Sequence, residues 1–145
     1  MKAVLDVGQF VSAAINPHGH PGQILTAWRN GQFELVTAPA ILEDLRRVLS
    51  YPHIRKRHQW SDEQIDLFIQ LLAAAATLTP GRHSVQVVAA DPTDDKILAC
   101  AEEGLVDHIV ASDEQHLFPL GSYAGIPIVR PRQFLEILTQ ISDKA

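Results

Sequence analysis

A chain of 145 residues, 46% hydrophobic and 20% charged, has one domain's length and the composition of an ordinary soluble globular protein, which excludes a disordered or fibrous chain. Its formal net charge of −5 argues against a protein that coats nucleic acid nonspecifically. The opening MKAVLDVGQFVSAAI carries a Lys and an internal acid, and LFIQLLAAAATL is too short to cross a bilayer, so the expectation is a cytoplasmic chain with no membrane partner.

In chain order, KAVLDV reads as a short buried strand, and GQFVSAAI as the start of a helix that the loop NPHGHPG breaks. QILTAWRN is a second helix ending at Gly31. FELVT is a strand, and APAILEDLRRVLS a helix with Pro39 in its first turn, where a missing N–H costs least. The basic stretch after it reads as a helix end and loop. SDEQIDLFIQLLAAAATL is the next helix, opened by Ser61 and Gln64 in a capping-box pattern. PGRHS is a loop and VQVVA a short edge strand. DPTDDKILACAEEG is a helix, VDHIVAS a strand, and SDEQHLF opens on a second Ser-x-x-Gln cap. IPIVR is the last strand, and PRQFLEILTQI a closing amphipathic helix. Strands separated by helical segments pair in parallel, because a parallel partner needs a crossover connection. The expected fold is therefore α/β: three layers, α/β/α, around a central, mainly parallel sheet, as one domain over residues 1–145.

In such sheets ligands sit beyond the carboxyl ends of the strands. Asp6 closes the first strand and Asp113 follows VDHIVA, which places both at the same sheet edge. At about 100° per residue, Ile97, Leu98, Ala101 and Leu105 share one helical face. Asp94 falls in the middle of that face and Asp95 on its flank, while Asp91 reads as the N-cap before Pro92. On the helix from 38 to 50, Asp44 borders the face made by Ile41, Leu42, Leu45, Val48 and Leu49, and Glu43 lies nearly opposite. Each acid also has a plain structural reading, since first-turn carboxylates complement the helix dipole. Asp6 resists that reading, because an acid ending a buried apolar strand is costly unless paired, hydrogen-bonded or bound to a cation. The candidate catalytic and metal-binding set is Asp6, Asp44, Asp94 and Asp113, with Glu43 and Asp95 as substitutes.

Charge is unevenly distributed. Residues 91 to 114 hold eight acids and one base, Lys96, whereas five of the twelve basic residues fall within RRVLSYPHIRKR. Carboxylates gathered without matching cations suit a hard divalent ion, Mg²⁺ or Mn²⁺, which takes oxygen ligands and retains waters. A water acidified by such an ion is a nucleophile for phosphodiester cleavage. Arg46, Arg47, Arg55, Lys56 and Arg57 read either as a solvated helix end and loop or as a patch that grips RNA phosphates.

Four segments, VLDVGQFVSAAI, FELVTAPAILEDLRRVL, DPTDDKILACA and DHIVASD, resemble in order and spacing the PIN domain, in particular bacterial PIN toxins related to VapC ribonucleases. The likeness continues to the closing IPIVRPRQFLEIL. It implies a parallel sheet between helices and a metal-dependent nuclease whose clustered acids bind Mg²⁺ or Mn²⁺. Carried over, Asp6 is the first acid, Asp44 the second, Asp94 the third and Asp113 the fourth. RNA as substrate, a small antitoxin protein as partner and a homodimer are also implied. Three departures stand out. Where the family reads Asp-Thr-Asn or Asp-Ser-Asn, this chain has Asp6-Val7-Gly8, losing a hydroxyl and an amide that orient the site, a change that commonly costs about 10–100-fold in affinity or activity. The second acid, usually Glu, is the shorter Asp44. A further acid that often follows the fourth is replaced by Gln115 and His116.

Two functions compete. One is an endoribonuclease acting as the toxin of a toxin–antitoxin pair. The other is a catalytically weak or inactive PIN domain that serves as an RNA-binding or protein-interaction module, which the Val7-Gly8 pair motivates. A receiver-like signalling domain also gathers acids at a sheet edge, but it needs a Lys after a late strand, and no Lys occurs from 97 to 143. The one cysteine, Cys100, lies in apolar ILACA and reads as a buried thiol rather than a nucleophile. His18 and His20 read as a solvated loop, His108 as structural, and Trp28 and Trp60 as too far apart in sequence for a base-stacking platform.

Overall fold

The computed structural model describes residues 1–82, 92–112 and 117–144. Strand β1 (Lys2–Leu5) has three of its four residues buried and runs straight into helix α1 (Val7–Ile15), with Asp6 as the N-cap between them. Helix α2 (His20–Arg29) follows, with Pro21 in its first turn, and then β2 (Glu34–Thr37). Helix α3 (Pro39–Leu49) starts on Pro39 and buries Ile41, Leu42, Leu45 and Leu49, the face expected from its 3.6-residue period. Next come α4 (Pro52–His58), α5 (Asp62–Ala75) and the two-residue strand β3 (Thr77–Leu78). The remaining elements are α6 (Pro92–Glu103), β4 (His108–Val110), a 3₁₀ turn at Phe118–Leu120, β5 (Ser122–Tyr123), β6 (Ile126–Val129) and α7 (Pro131–Lys144). No described helix is long and apolar enough to cross a membrane.

Among the described residues the strands form a sheet in the order β3-β2-β1-β4-β6-β5, with every pair parallel except the antiparallel edge pair β5–β6. Helices flank it: α6 lies against β1 and β2, α1 packs on α2 and α3, α2 on α7, and α3 on α5 and α6. The core joins Ala3, Val4 and Leu5 of β1 with Phe10, Ile24, Leu35, Ile97, Leu98, Ile109 and Phe134. From β1 the chain builds outward through β2 and β3, then returns to add β4 and β6 on the other side. The order therefore reverses between β1 and β4, which pair in register at Val4↔Ile109 and Leu5↔Val110. A crevice opens at the carboxyl ends of the two strands where such a reversal occurs. Asp6 and Ala111-Ser112 leave the sheet at that point.

Several local expectations need correction. The basic stretch after α3 is a helix, α4, not a loop: Tyr51 is extended ahead of Pro52, and Pro52 occupies the first helical turn. The helix read as reaching Leu78 stops at Ala75, and Thr77 and Leu78 pair in parallel with Val36 and Thr37 at the sheet edge. Leu105 does not continue the face of Ile97, Leu98 and Ala101; it lies past the end of α6 with φ of 51° and is 80% exposed. The β5–β6 hairpin turns through Ala124 and Gly125, both at positive φ as a tight two-residue turn requires. The capping box at Ser61 and Gln64 is formed in both directions. VQVVA, the Asp91 cap and the second Ser-x-x-Gln cap involve residues 85–89, 91 and 113–116, outside the described residues.

Candidate active site

The site starts with Asp6. Its main-chain N–H donates to the Val110 carbonyl at 3.0 Å, which ties the end of β1 to the end of β4. One carboxylate oxygen, Oδ1, accepts the Gln9 N–H at 3.0 Å and so caps α1; the other, Oδ2, accepts the Ser112 N–H at 3.3 Å. The Gln9 side-chain amide in turn donates to the Ser112 hydroxyl at 2.7 Å. An acid only 7% exposed is thus held by main-chain dipoles from two elements. Gly8 stands beside it: a Cβ there would lie 3.5 Å from Oδ1, an ordinary van der Waals contact.

Asp6 opens onto a cavity of about 660 Å³. Asp94, 6% exposed in the first turn of α6, lines the same cavity, as do Thr93, Ser112, Ser12 and Asn16. Val11, Ile15 and Val48 form an apolar wall, and Arg57 of α4 also lines the cavity. Two carboxylates with hydroxyl and amide oxygens around them form a hard donor set, which suits Mg²⁺ or Mn²⁺ bound through one or two carboxylates and several waters. Among the described residues no three His, Cys, Asp or Glu side chains gather closely enough to make a complete metal cage. Asp113, the residue after Ser112, lies outside the described residues.

The other expected acids sit differently. Asp44 is 3% exposed but does not line the cavity. Its carboxylate takes Lys96 Nζ at 3.0 and 3.2 Å, and Arg47 at 3.2 Å from one turn further along α3. The expectation of acids without matching cations therefore fails at Asp44, because Lys96, two residues after Asp94, reaches from α6 to α3. Glu43 is exposed, as its helical phase implied, and Asp95 is half-buried. Of the basic patch, Arg46 pairs with Asp66, Arg55 with Asp62 and Arg47 with Asp44. Lys56 and Arg57 are exposed on α4.

Sequence reasoning missed Gln9, Ser112 and Lys96. Asp6 and Gln9 repeat the cap-x-x-Gln spacing recognised at Ser61 and Gln64, so the cap itself had a signal. That Gln9 turns away to Ser112, 103 positions later, depends on strand register and had none.

Elsewhere, burial pushes the Cys100 thiol up to about 11, the Thr79 hydroxyl donating to it at 3.7 Å only partly opposing this, so it is no nucleophile at neutral pH. Burial also lowers the basicity of His108, which packs edge-on against Phe134 away from the cavity. Trp28 and Trp60, distant in sequence, come together on a second, apolar cavity of about 430 Å³ that His18 also lines.

A PIN domain family model matches residues 2–115 of the chain. A protein of Methanocaldococcus jannaschii described as uncharacterized is 25% identical over 143 residues, covering 94% of this chain and 90% of the relative. The model spans β1 through β4, including Asp6, Asp44, Asp94 and the Lys96 contact, and the relative spans almost the whole length. A mainly parallel sheet flanked by helices, with Asp6 and Asp94 meeting at its switch point, accords with that match, and the chain belongs to the PIN domain family.

Proposed function

We propose that the chain is a metal-dependent endoribonuclease that cleaves RNA phosphodiester bonds. The observation that carries this reading is the meeting of two buried acids, Asp6 and Asp94, from distant segments in one cavity at the reversal point of the sheet. Membership of a family of nucleases supports it. Asp6, Asp94 and Asp113 would hold Mg²⁺ or Mn²⁺, directly or through water, with Asp44 as the fourth acid of the set. When bound, the ion supplies an acidified water as nucleophile and offsets the charge that develops on the phosphate. Asp6 is pre-oriented by the Gln9 and Ser112 N–H groups, so its carboxylate needs no reorganisation to serve. Val11, Ile15 and Val48 present an apolar wall to the sugar and base and keep bulk water from that side. In the cell, a role as the toxin of a toxin–antitoxin pair fits this activity, with a small antitoxin protein and a second copy of the chain as partners.

Purified protein is expected to cleave RNA only with Mg²⁺ or Mn²⁺, and Asp94→Asn to abolish cleavage. Undiminished cleavage by that variant would refute the site. A short upstream reading frame encoding a DNA-binding fold would support the toxin role.

The Asp44 contacts favour a second reading. A second acid already neutralised by Lys96 and Arg47 fits a catalytically weak or inactive PIN domain acting as an RNA-binding or protein-interaction module. Calorimetric titration with Mn²⁺ separates the two. Saturable binding lost in Asp6→Asn supports the enzyme, and absence of binding supports the inactive module.

A further inference from the structure

Five basic residues between 46 and 57 are equivalent in sequence but not in the fold. Arg46, Arg47 and Arg55 each have a carboxylate partner. Lys56 and Arg57 have none among the described residues, and of the two only Arg57 lines the cavity that holds the two buried acids. Its position is fixed by its neighbour: buried His58 accepts the Trp60 N–H on Nδ1 at 2.9 Å, so its Nε2 carries the proton and donates to the Leu49 carbonyl at 2.9 Å. These bonds fasten the end of α4 to α3 and aim the last turn of the helix at the cavity.

We infer that Arg57 is a positioning residue that holds an RNA phosphate across the cavity from Asp6 and Asp94. The inference rests on the ribonuclease reading for its substrate. A planar guanidinium grips two phosphate oxygens at once, which an ammonium does not, and its charge offsets the repulsion between a phosphate and two carboxylates.

Binding of a short fluorescein-labelled single-stranded RNA, followed by anisotropy in EDTA over a range of NaCl concentrations, tests this without cleavage. Arg57→Ala is expected to weaken binding about tenfold and to reduce the slope of log affinity against log salt by about 0.7. Arg57→Lys should keep the slope and recover only part of the affinity. Arg132→Ala, which removes a cation on α7 outside the cavity, should match wild type. An Arg57→Ala protein indistinguishable from wild type, equal losses in Arg57→Ala and Arg132→Ala, or a wild type that binds no RNA would each overturn the assignment. A wild type that shows the full Arg57 effect yet cleaves no RNA with Mn²⁺ would sink the nuclease reading and leave Arg57 in place.

Discussion

Asp6 does two jobs that substitution separates. Asn caps a helix about as well as Asp, so Asp6→Asn keeps the bond from the Gln9 N–H, but its amide nitrogen cannot also accept from Ser112. The expected cost is about 1 kcal/mol. Asp6→Ala loses both bonds and is expected to cost about 2–3 kcal/mol. Urea unfolding measures the two, and equal costs would show that the cap and the Ser112 contact do not contribute separately. Cys100 gives a test by pH. Its thiol ionises at about 11 in the folded protein, against an ordinary value of 9.0. Between those values the unfolded chain releases the proton and the folded one retains it, so stability falls as pH rises from 9 to 11, by up to about 2–3 kcal/mol. The difference between wild type and Cys100→Ala in urea midpoint should narrow or reverse over that window, and a constant difference would mean that the thiol is not buried.

At the level of elements, the long helices and buried strands were legible because each carries a clear period or a cap. The face of α3, the Ser61 capping box and the inward Asp94 follow from 3.6-residue spacing alone. Where the reading failed, tertiary pairing decided. Thr77 and Leu78 leave the helical pattern because β2 offers an unpaired edge, and a two-residue strand has no period to detect. Lys96 crosses to Asp44 because α6 packs on α3, a fact absent from either segment. The α4 helix did have a signal in Pro52, outweighed by the charge of IRKRH. Gly22, at the start of α2, shows the same dependence on packing: a Cβ there would come within 2.1 Å of the Pro17 carbonyl oxygen, so the α1–α2 turn closes only over a hydrogen. Gly22→Ala is expected to cost about 1–3 kcal/mol by forcing the backbone apart. Since Gly22 does not line the acid cavity, metal affinity of the folded fraction should be unchanged. A urea midpoint equal to wild type would show that the turn relaxes freely.

For the whole molecule, the decisive quantity is how a divalent ion couples to folding. The cavity draws its acids from the β1–α1 junction and the start of α6, segments far apart in the chain that come together only in the folded state. An ion bound there binds the native state and not the unfolded one, and at a hundred times its dissociation constant adds about 2.7 kcal/mol. For a chain of 145 residues this corresponds to roughly 8 °C in melting temperature. Mn²⁺ should therefore raise the wild-type transition by that order, and Asp94→Asn should melt at the same temperature with or without Mn²⁺. Asp44→Asn then discriminates its two roles. If Asp44 is a strut between α6 and α3, losing its contacts with Lys96 and Arg47 lowers the metal-free melting temperature while the Mn²⁺ increment survives. If it also serves the ion, the increment shrinks with it, because Lys96 and Arg47 then compete with the metal for one carboxylate. An increment of zero in wild type would remove the common premise of both outcomes, since an ion that binds only the folded cavity must stabilise the fold.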